Sequence, residues 1–344
     1  MKKIDLRSDT VTFPTPTMMN AIANSQLGDD VYVEDNDTIQ LEKLAAKITN
    51  KEAALLVSSG TMGNLICNMI HCPRGTESIM GDQSHTFLYE SGGISAYGGI
   101  HSHQLKNNQD GTIDINLIKS AIRTDDVHFP ETKLICLENT HNKCYGFPLE
   151  IDYINSVCNL AHENDIKIHM DGARIFNACA ALDMSPDIIL KNIDSITFCL
   201  SKGLSAPIGS VICGSKEFIS KARKVRKSLG GGMRQTGIIS AAGIVALNDM
   251  RKRLSNDHDN AKYLANALSK LKMIDLDLKL VKTNIIYFNF HHKTMSSFKL
   301  VSLMKSHGIL FNDYNEQHCR LVLHHGILKD DIENVIDVFS KLLS

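Results

Sequence analysis

The segment Ser195-Ile-Thr-Phe-Cys-Leu-Ser-Lys202-Gly203 is a short apolar run that ends at a lysine, followed by a turn containing Pro207 and Gly209. The run predicts a buried strand that carries the lysine to the rim of a sheet. Partial desolvation there makes a lysine amine nucleophilic toward an aldehyde. Lys202 is therefore a candidate Schiff-base residue, although a lysine in this position is more often the first solvated residue of a loop.

A second strand-like run, Ile166-Lys-Ile-His-Met-Asp-Gly-Ala-Arg174, places the carboxylate of Asp171 at the same kind of strand end. A carboxylate and a lysine at the ends of neighbouring parallel strands fit pyridoxal phosphate. Its ring nitrogen needs an anion, and its aldehyde carbon needs an amine. Taken alone, Asp171 equally fits the N-cap of a helix.

The third feature is Leu55-Leu-Val-Ser-Ser-Gly-Thr-Met-Gly-Asn64, in which a β-like run passes through hydroxyls and glycines into a helical pattern. Backbone N–H groups at such a helix start form a cup for a phosphate. Neither the Walker spacing nor the Gly-x-Gly-x-x-Gly spacing is present, which disfavours a nucleotide. A plain capped helix remains an alternative, but cup, carboxylate and lysine together favour pyridoxal phosphate.

Composition limits the class of protein. The chain has 344 residues, 43% hydrophobic and 22% charged, enough for a large core divided into two domains. The net charge of -1 gives no general reason to expect nucleic acid or an anionic membrane as a partner. The basic stretch Lys221 to Lys227 is more typical of a solvated helix face than of a polyanion site.

The cysteines and the N-terminus indicate the compartment. Nine cysteines without a Cys-x-x-Cys pair favour a reducing compartment and disfavour disulfides or a structural zinc site, so no metal is predicted. No run approaches the roughly 18 apolar residues of a membrane span. The first residues show no signal or transit peptide, and a cytoplasmic location is expected.

Strand-like and helix-like segments alternate along most of the chain. This alternation predicts an α/β fold with a mostly parallel sheet flanked by helices, and chemistry at the strand ends. A long helical stretch from Gln235 to about Leu268, with a break near Ser255 to Asp257, leads into a smaller α+β region. We predict a large cofactor-binding domain over 1–250 with an N-terminal arm, and a small domain over 251–344.

Seven motifs together resemble the threonine aldolases, and the likeness runs from Asp5 to His325. The motifs are Asp5-Leu-Arg-Ser-Asp-Thr-Val-Thr12, Gly28-Asp-Asp-Val-Tyr32, Ser58-Ser-Gly-Thr-Met-Gly-Asn64, Leu137-Glu-Asn-Thr-His141, Met170-Asp-Gly-Ala-Arg174, Ser201-Lys-Gly203 and Leu229-Gly-Gly-Gly-Met-Arg-Gln235. This family consists of pyridoxal-phosphate enzymes of the aspartate aminotransferase fold (fold type I), which implies a mixed seven-stranded sheet and a smaller α+β C-terminal domain. One departure is Ser205, where the family usually has glycine.

The resemblance implies roles for the matched residues. Lys202 would bind the cofactor aldehyde, Asp171 the pyridine nitrogen, and His85 would stack on the ring and touch the substrate hydroxyl. The other implied contacts of pyridoxal 5'-phosphate are Ser59, Gly60, Thr61, Arg174 and Arg234. A histidine suits proton transfer near neutrality. His128 matches a second histidine near the hydroxyl, and the sequence leaves open whether His85, His128 or a water held by both removes the proton.

The family positions for the substrate carboxylate are Ser8, Arg174 and Arg320, and arginine's planar fork suits that task. Each arginine alone fits a surface ion pair as well. Tyr32 and Tyr89 are implied linings of the site. Arg234 resembles a residue that reaches the cofactor phosphate of a neighbouring subunit, which implies a homotetramer with shared active sites.

The activity that the resemblance implies is retro-aldol cleavage of L-threonine, L-allo-threonine and related amino acids to glycine and an aldehyde. Proton removal from the β-hydroxyl would drive Cα–Cβ cleavage, with a Cα carbanion delocalised into the cofactor. Alternatives on the same scaffold are a serine hydroxymethyltransferase-like enzyme and a β-eliminating lyase. An alternative of another class is a non-catalytic pyridoxal-phosphate carrier.

Overall fold

The computed structural model describes residues 2–343. The strands are β1 (Ile4–Asp5), β2 (Ala53–Val57), β3 (Glu77–Gly81), β4 (His101–Leu105), β5 (Thr132–Glu138), β6 (Lys167–Asp171), β7 (Ser195–Cys199), β8 (Ser210–Gly214), β9 (Ile274–Asp275), β10 (Ile285–Phe290), β11 (Ile309–Leu310), β12 (Asn312–Asp313) and β13 (His318–Val322). The helices are α1 (Pro16–Ala23), α2 (Asn36–Thr49), α3 (Gly60–His71), α4 (His85–Leu88), α5 (Gly93–Ala96), α6 (Ile115–Ala121), α7 (Ile151–His162), α8 (Ile175–Leu182), α9 (Pro186–Ile189), α10 (Lys216–Ser228), α11 (Gly237–Asn248), α12 (Leu254–Leu268), α13 (Ser297–Ser306) and α14 (Lys329–Leu343). None of the helices within 2–343 is long and apolar enough to cross a membrane.

A seven-stranded sheet forms the centre of the fold, with strand order β2-β8-β7-β6-β5-β3-β4. Strand β8 runs antiparallel to both of its neighbours, and the other pairs are parallel. The predicted mixed, mostly parallel α/β sheet is therefore confirmed. The carboxyl ends of β5, β6 and β7 meet at one edge, where a parallel sheet places its functional groups.

The central strands are apolar because helices cover both faces of the sheet. Every residue of β7 is buried, and so is every residue of β8. The edge strand β4 was not predicted from sequence, because its His-Ser-His-Gln-Leu sequence has four consecutive polar residues and lies partly in solvent. Side chains at the helix starts fix the boundaries, as where Ser215 accepts a hydrogen bond from the Phe218 amide of α10.

A smaller four-stranded sheet of order β12-β13-β10-β9 forms a second core with α12, α13 and α14. Ile4 and Leu6 pack into this second core, and β1 pairs with β11 in parallel. Residues 5–9 of the N-terminal arm are therefore held next to the C-terminal region. The proposed division between 1–250 and 251–344 stays a prediction.

The long helical stretch after residue 235 is broken, but not where the sequence analysis expected. Helix α11 ends at Asn248, a 3₁₀ turn covers Met250–Arg253, and α12 begins at Leu254. The expected break at 255–257 lies inside α12. Asp257 is held by Arg253 one turn earlier at 2.8 Å, so its carboxylate supports the helix rather than competing with the backbone.

Candidate active site

Lys202 and Asp171 lie at the same edge of the large sheet. Asp171 is the last residue of β6 and pairs with Thr197 of the neighbouring strand β7, and Lys202 follows β7 by three residues. Lys202 is half-buried, and among residues 2–343 its amine has no hydrogen-bond or ion-pair partner. An unpartnered amine beside a buried carboxylate is the arrangement that the two strand ends predicted.

Asp171 is 4% exposed, and both of its oxygens accept hydrogen bonds. Asn64 Nδ2 donates to Oδ2 at 2.9 Å, and the Ala173 amide donates to Oδ1 at 3.1 Å. These donors hold the carboxylate in one orientation at the sheet edge. A carboxylate fixed in this way can face the ring nitrogen of pyridoxal phosphate, which needs an anion.

The N-terminus of α3 forms the third side of the site. Ser59 caps this helix by accepting a hydrogen bond from the Met62 amide at 3.2 Å, which leaves the first backbone N–H groups directed outward. A Cβ on Gly60 would come within 3.0 Å of Cys199 Sγ at the end of β7. A glycine therefore lets the helix start lie close to the strand that leads to Lys202, where a phosphate could bind.

His85 begins α4 and faces two buried carboxylates. Its amide donates to Glu138 Oε2 at 2.7 Å, and its Nδ1 lies 2.8 Å from Glu90 Oε1. Burial alone would lower the pKa of His85, but the hydrogen bond to Glu90 and the charge of Asp171 outweigh burial and raise it. The Tyr89 ring lies 5.6 Å from the His85 ring and is 47% exposed.

Arg174 and Arg320 meet at one asparagine. Arg174 uses Nε and Nη2 to grip Asp9, and its Nη1 donates to Asn142 Oδ1 at 3.3 Å. Arg320 Nη2 donates to the same oxygen at 2.7 Å, while its buried Nε has no partner. Ser8 caps the turn that carries Asp9, with Oγ accepting from the Thr10 amide. The two guanidinium groups form a compact cationic pair suited to a carboxylate.

Three predicted residues lie elsewhere in this single chain. His128 is in the exposed loop before β5 and bonds to Asp126 at 2.7 Å. That loop is at the amino end of β5, roughly 20 Å along the strand from the active-site edge. Arg234 is half-exposed and pairs with Asp29 at 3.2 Å. Tyr32 is 73% exposed. One chain therefore does not bring these three side chains onto the Lys202 site.

Several residues of the site were not predicted from sequence, because their partners are distant in the chain. They are Asp9, Asn64, Glu90, Glu138 and Asn142. Asn64 could have been predicted, because a polar residue on the sheet-facing side of an apolar helix needs hydrogen-bond partners inside the protein. Glu138 could have been predicted as well, because it ends a buried strand just as Asp171 does.

These side chains fit pyridoxal phosphate. The free Lys202 amine, the fixed Asp171 carboxylate and the N-terminus of α3 offer an amine, an anion and a phosphate cup on one edge. The buried Glu90 Oε2 and Arg320 Nε, which lack partners among residues 2–343, leave polar capacity toward a ligand. The fold is that of the fold type I pyridoxal-phosphate enzymes, and this edge offers the groups that such a cofactor needs.

Comparison with known proteins gives the family. The beta-eliminating lyase family matches residues 5–291, and the chain belongs to that family. It is 45% identical over 347 residues to low-specificity L-threonine aldolase 1 of Arabidopsis thaliana, covering 100% of this chain and 97% of that one. It is 39% identical to the low specificity L-threonine aldolase of Escherichia coli (strain K12), covering 96% and 97%.

Solved structures agree on the fold. Leishmania major threonine aldolase superposes with a TM-score of 0.84 at 18% identity, covering 99% of this chain and 100% of that chain. A Sphingomonas wittichii serine palmitoyltransferase superposes with a TM-score of 0.76 at 15% identity, covering 98% and 86%. At these identities, the two likenesses bear on the fold alone.

Proposed function

We propose that this protein cleaves L-threonine and L-allo-threonine to glycine and acetaldehyde with pyridoxal 5'-phosphate as its cofactor. The observation that carries the proposal is the placement of the free Lys202 amine and the Asp171 carboxylate at the ends of neighbouring strands, with the two arginines that meet at Asn142. Relatives that carry the name L-threonine aldolase along nearly the whole chain support it.

Each residue of the site has a role that follows from its position. Arg174 and Arg320 bind the substrate carboxylate with the guanidinium N–H groups that are not already bonded to Asp9 and Asn142, and Ser8 contributes a hydroxyl. Lys202 supplies the amine that holds the cofactor aldehyde, and the start of α3 at Ser59, Gly60 and Thr61 holds its phosphate. Bound pyridoxal phosphate supplies the electron sink for the electron pair of the broken Cα–Cβ bond.

His85 is our candidate for moving the proton of the β-hydroxyl. Its Nδ1 faces Glu90, so Nε2 is the nitrogen left to face substrate. Glu90 fixes the ring orientation and, when ionised, stabilises a positive imidazole. A base at this position needs an unprotonated Nε2 at the start of the step and carries the proton afterwards. Tyr89 closes one side of the site and restricts water.

A carrier without catalysis is disfavoured, because a carrier does not need a carboxylate clamp. We propose further that the protein is a homotetramer with sites shared between subunits. Exposed Tyr32, His128 and Arg234 fit such sharing, since none of them serves the site of its own chain. A cytoplasmic location is proposed as well, and it is supported by the nine cysteines, all unpaired and buried.

The experiment is replacement of Lys202 by alanine and by arginine. Both variants should lose the yellow absorbance of bound cofactor and acetaldehyde release, because arginine keeps the charge but lacks a nucleophilic amine. The matched control is Lys51→Ala, a half-buried lysine that donates to the Leu190 and Ile193 carbonyls away from the site. An unaltered spectrum in K202A would refute the assignment.

The hydroxymethyltransferase alternative is tested on the same preparation. Turnover of L-threonine should be unchanged by tetrahydrofolate, because cleavage to a free aldehyde needs no one-carbon acceptor. Bound cofactor with no turnover of either diastereomer above background would favour the carrier instead.

A further inference from the structure

Helix α3 buries amides where a helix on a parallel sheet normally buries apolar side chains. Asn64 and Asn68 are 1% and 0% exposed, and with His71 they share the face that lies on the sheet. A buried amide costs free energy unless its groups are hydrogen-bonded, and an apolar residue of similar size would avoid that cost. Polar residues at these positions call for a physical reason beyond packing.

Asn64 lies at the centre of a hydrogen-bonded chain that ends at Asp171. Its Nδ2 donates to Asp171 Oδ2 at 2.9 Å and to Glu90 Oε1 at 2.8 Å. Its Oδ1 lies 3.1 Å from Nε2 of the fully buried His169. His169 Nδ1 lies 2.9 Å from Ser195 Oγ, which in turn lies 2.9 Å from Nε2 of His71.

The two carboxylates fix the direction of every bond in this chain. Only the NH₂ group of Asn64 can face two carboxylate oxygens, so Oδ1 faces His169 and accepts a hydrogen bond from Nε2–H. Burial lowers the pKa of His169 to about 4, so the ring is neutral near pH 7. Nδ1 is then an acceptor, the Ser195 hydroxyl donates to it, and His71 Nε2–H donates to Ser195.

We propose that Asn64 and His169 are positioning residues that hold the Asp171 carboxylate in the orientation needed to face the cofactor ring nitrogen. All donors of the chain from His71 to Asn64 point toward Asp171. Aligned hydrogen bonds in a low-dielectric interior polarise one another, so the last donor stabilises the carboxylate more than an isolated amide does. The residues of this hydrogen-bonded chain lie on one helix, α3, and on two strands, β6 and β7.

The chain also explains how two buried carboxylates coexist at one amide. Burial, opposed by the hydrogen bond from His85, raises the pKa of Glu90, and the charge of Asp171 raises it further. Asp171 receives a backbone donor from Ala173 as well, whereas Glu90 faces the Nδ1 of His85. The single Asn64 amide thus bridges two acids that have different surroundings.

This inference rests on the proposed cofactor site. Its first test is Asn64→Ala against Asn68→Ala, a matched control because Asn68 is an equally buried amide on the same helix face that bonds to the Asn64 carbonyl and to Cys136. Loss of a hydrogen bond to a charged group predicts about 10- to 100-fold weaker retention of pyridoxal phosphate in N64A. N68A should retain the cofactor as the unsubstituted protein does.

The readout specific to positioning is the ring nitrogen itself. With ¹⁵N-labelled pyridoxal phosphate, the nitrogen should be protonated in the unsubstituted protein and in N68A, and largely neutral in N64A and His169→Leu. His169→Gln, which keeps a donor near the Nε2 position, should restore protonation in part. Equal ring-nitrogen shifts in N64A and N68A would overturn the proposal.

The tautomer provides a test that needs no cofactor and no folded variant of Asn64. In ¹⁵N-histidine-labelled apoprotein, His169 should be neutral with its proton on Nε2. A proton on Nδ1, directed at the Ser195 carbonyl 3.1 Å away, would break the chain and end the proposal. If the unsubstituted protein binds no cofactor at Lys202, the proposed function fails separately.

Discussion

Arg174 and Asp9 form a fully buried ion pair with two hydrogen bonds, Nε to Oδ2 at 2.8 Å and Nη2 to Oδ1 at 2.7 Å, across 165 residues of sequence. The pair ties the N-terminal arm to the end of β6. It also fixes the orientation of the arginine proposed to bind the substrate carboxylate, because two of its three guanidinium nitrogens are bonded to Asp9. Asn284 Nδ2 completes the shell of Asp9 at 3.3 Å.

Replacing Asp9 by asparagine should destabilise the protein strongly. Removing one partner of a buried pair leaves an uncompensated charge, with an expected loss of about 3–5 kcal/mol in the free energy of unfolding. Urea denaturation of the apoprotein measures it. The control is Asp29→Asn, whose pair with Arg234 is solvent-exposed and should contribute little. Similar losses in both variants would contradict the role given to burial.

The same pair predicts a specific acid sensitivity. Burial alone would raise the pKa of Asp9, but the charge of Arg174 and its hydrogen bonds outweigh burial and hold that pKa well below its usual range. A depressed carboxyl pKa contributes stability above the unfolded value of about 3.9, and the contribution is lost as pH falls through the folded pKa.

Unfolding free energy should therefore fall more steeply with acidification in the unsubstituted protein than in D9N, which has no carboxyl to titrate there. Denaturant titrations between about pH 5 and pH 3 give the two slopes. Parallel slopes would mean that other carboxylates dominate acid unfolding.

Glu90→Gln should move the pH profile of cleavage. Glu90 raises the pKa of His85, so removing its charge should lower that pKa. If His85 must be unprotonated to accept the hydroxyl proton, the acidic limb of kcat/KM shifts to lower pH in E90Q. The profile is measured by acetaldehyde release with both diastereomers. If the acidic limb of kcat/KM does not shift in E90Q, the limb belongs to another group, such as a bound water.

The strand-end chemistry was predictable from sequence because local pattern decides it. Apolar runs ending at Asp171 and Lys202 predicted two strands, and parallel strands end at one edge of a sheet. The helix start at Ser59 was predictable from its hydroxyls and glycines. These features need no knowledge of distant contacts, and the structure brings all three together.

Contacts across long separations were not predictable in the same way. Nothing near Asp9 in sequence indicates Arg174, and nothing near Asn142 indicates Arg320, because packing of the arm and of the small sheet brings them together. The polar edge strand β4 was not predicted for another reason: a run of four polar residues has no apolar period and matches a solvated loop as well as an edge strand. Lys202 was therefore predictable from sequence, whereas the residues that hydrogen-bond to the side chains around it were not.

Mixing two inactive variants tests whether sites are shared. In K202A every site lacks its amine, and in Arg234→Ala every site lacks the arginine supplied by a neighbour. A hybrid of the two contains one site with both residues intact if Arg234 acts across an interface. Co-refolding equal amounts should restore about a quarter of the normal activity, since half of the dimers are hybrids with one intact site of two. Recovery no greater than the sum of the separate variants would place Arg234 in its own chain's site.

Ser205 occupies a conformation that favours glycine. Its φ is 62°, it is fully buried, and its Oγ has no partner among residues 2–343, while its amide closes the turn onto the Lys202 carbonyl at 2.8 Å. A non-glycine residue in the left-handed region costs about 1–2 kcal/mol. Ser205→Gly should therefore stabilise the protein, and thermal unfolding of the apoprotein measures the gain.

Two comparison variants separate backbone strain from the buried hydroxyl. Ser205→Ala removes the hydroxyl and keeps the strain, so S205G should exceed S205A by about 1 kcal/mol in unfolding free energy. Ser210→Ala removes another buried, unpartnered hydroxyl, here in a regular strand, and should match S205A in direction. If S205G and S205A are equally stable, the hydroxyl rather than the backbone carries the cost. A gain in stability with slower cleavage in S205G would show that the strained turn helps to hold Lys202 in place.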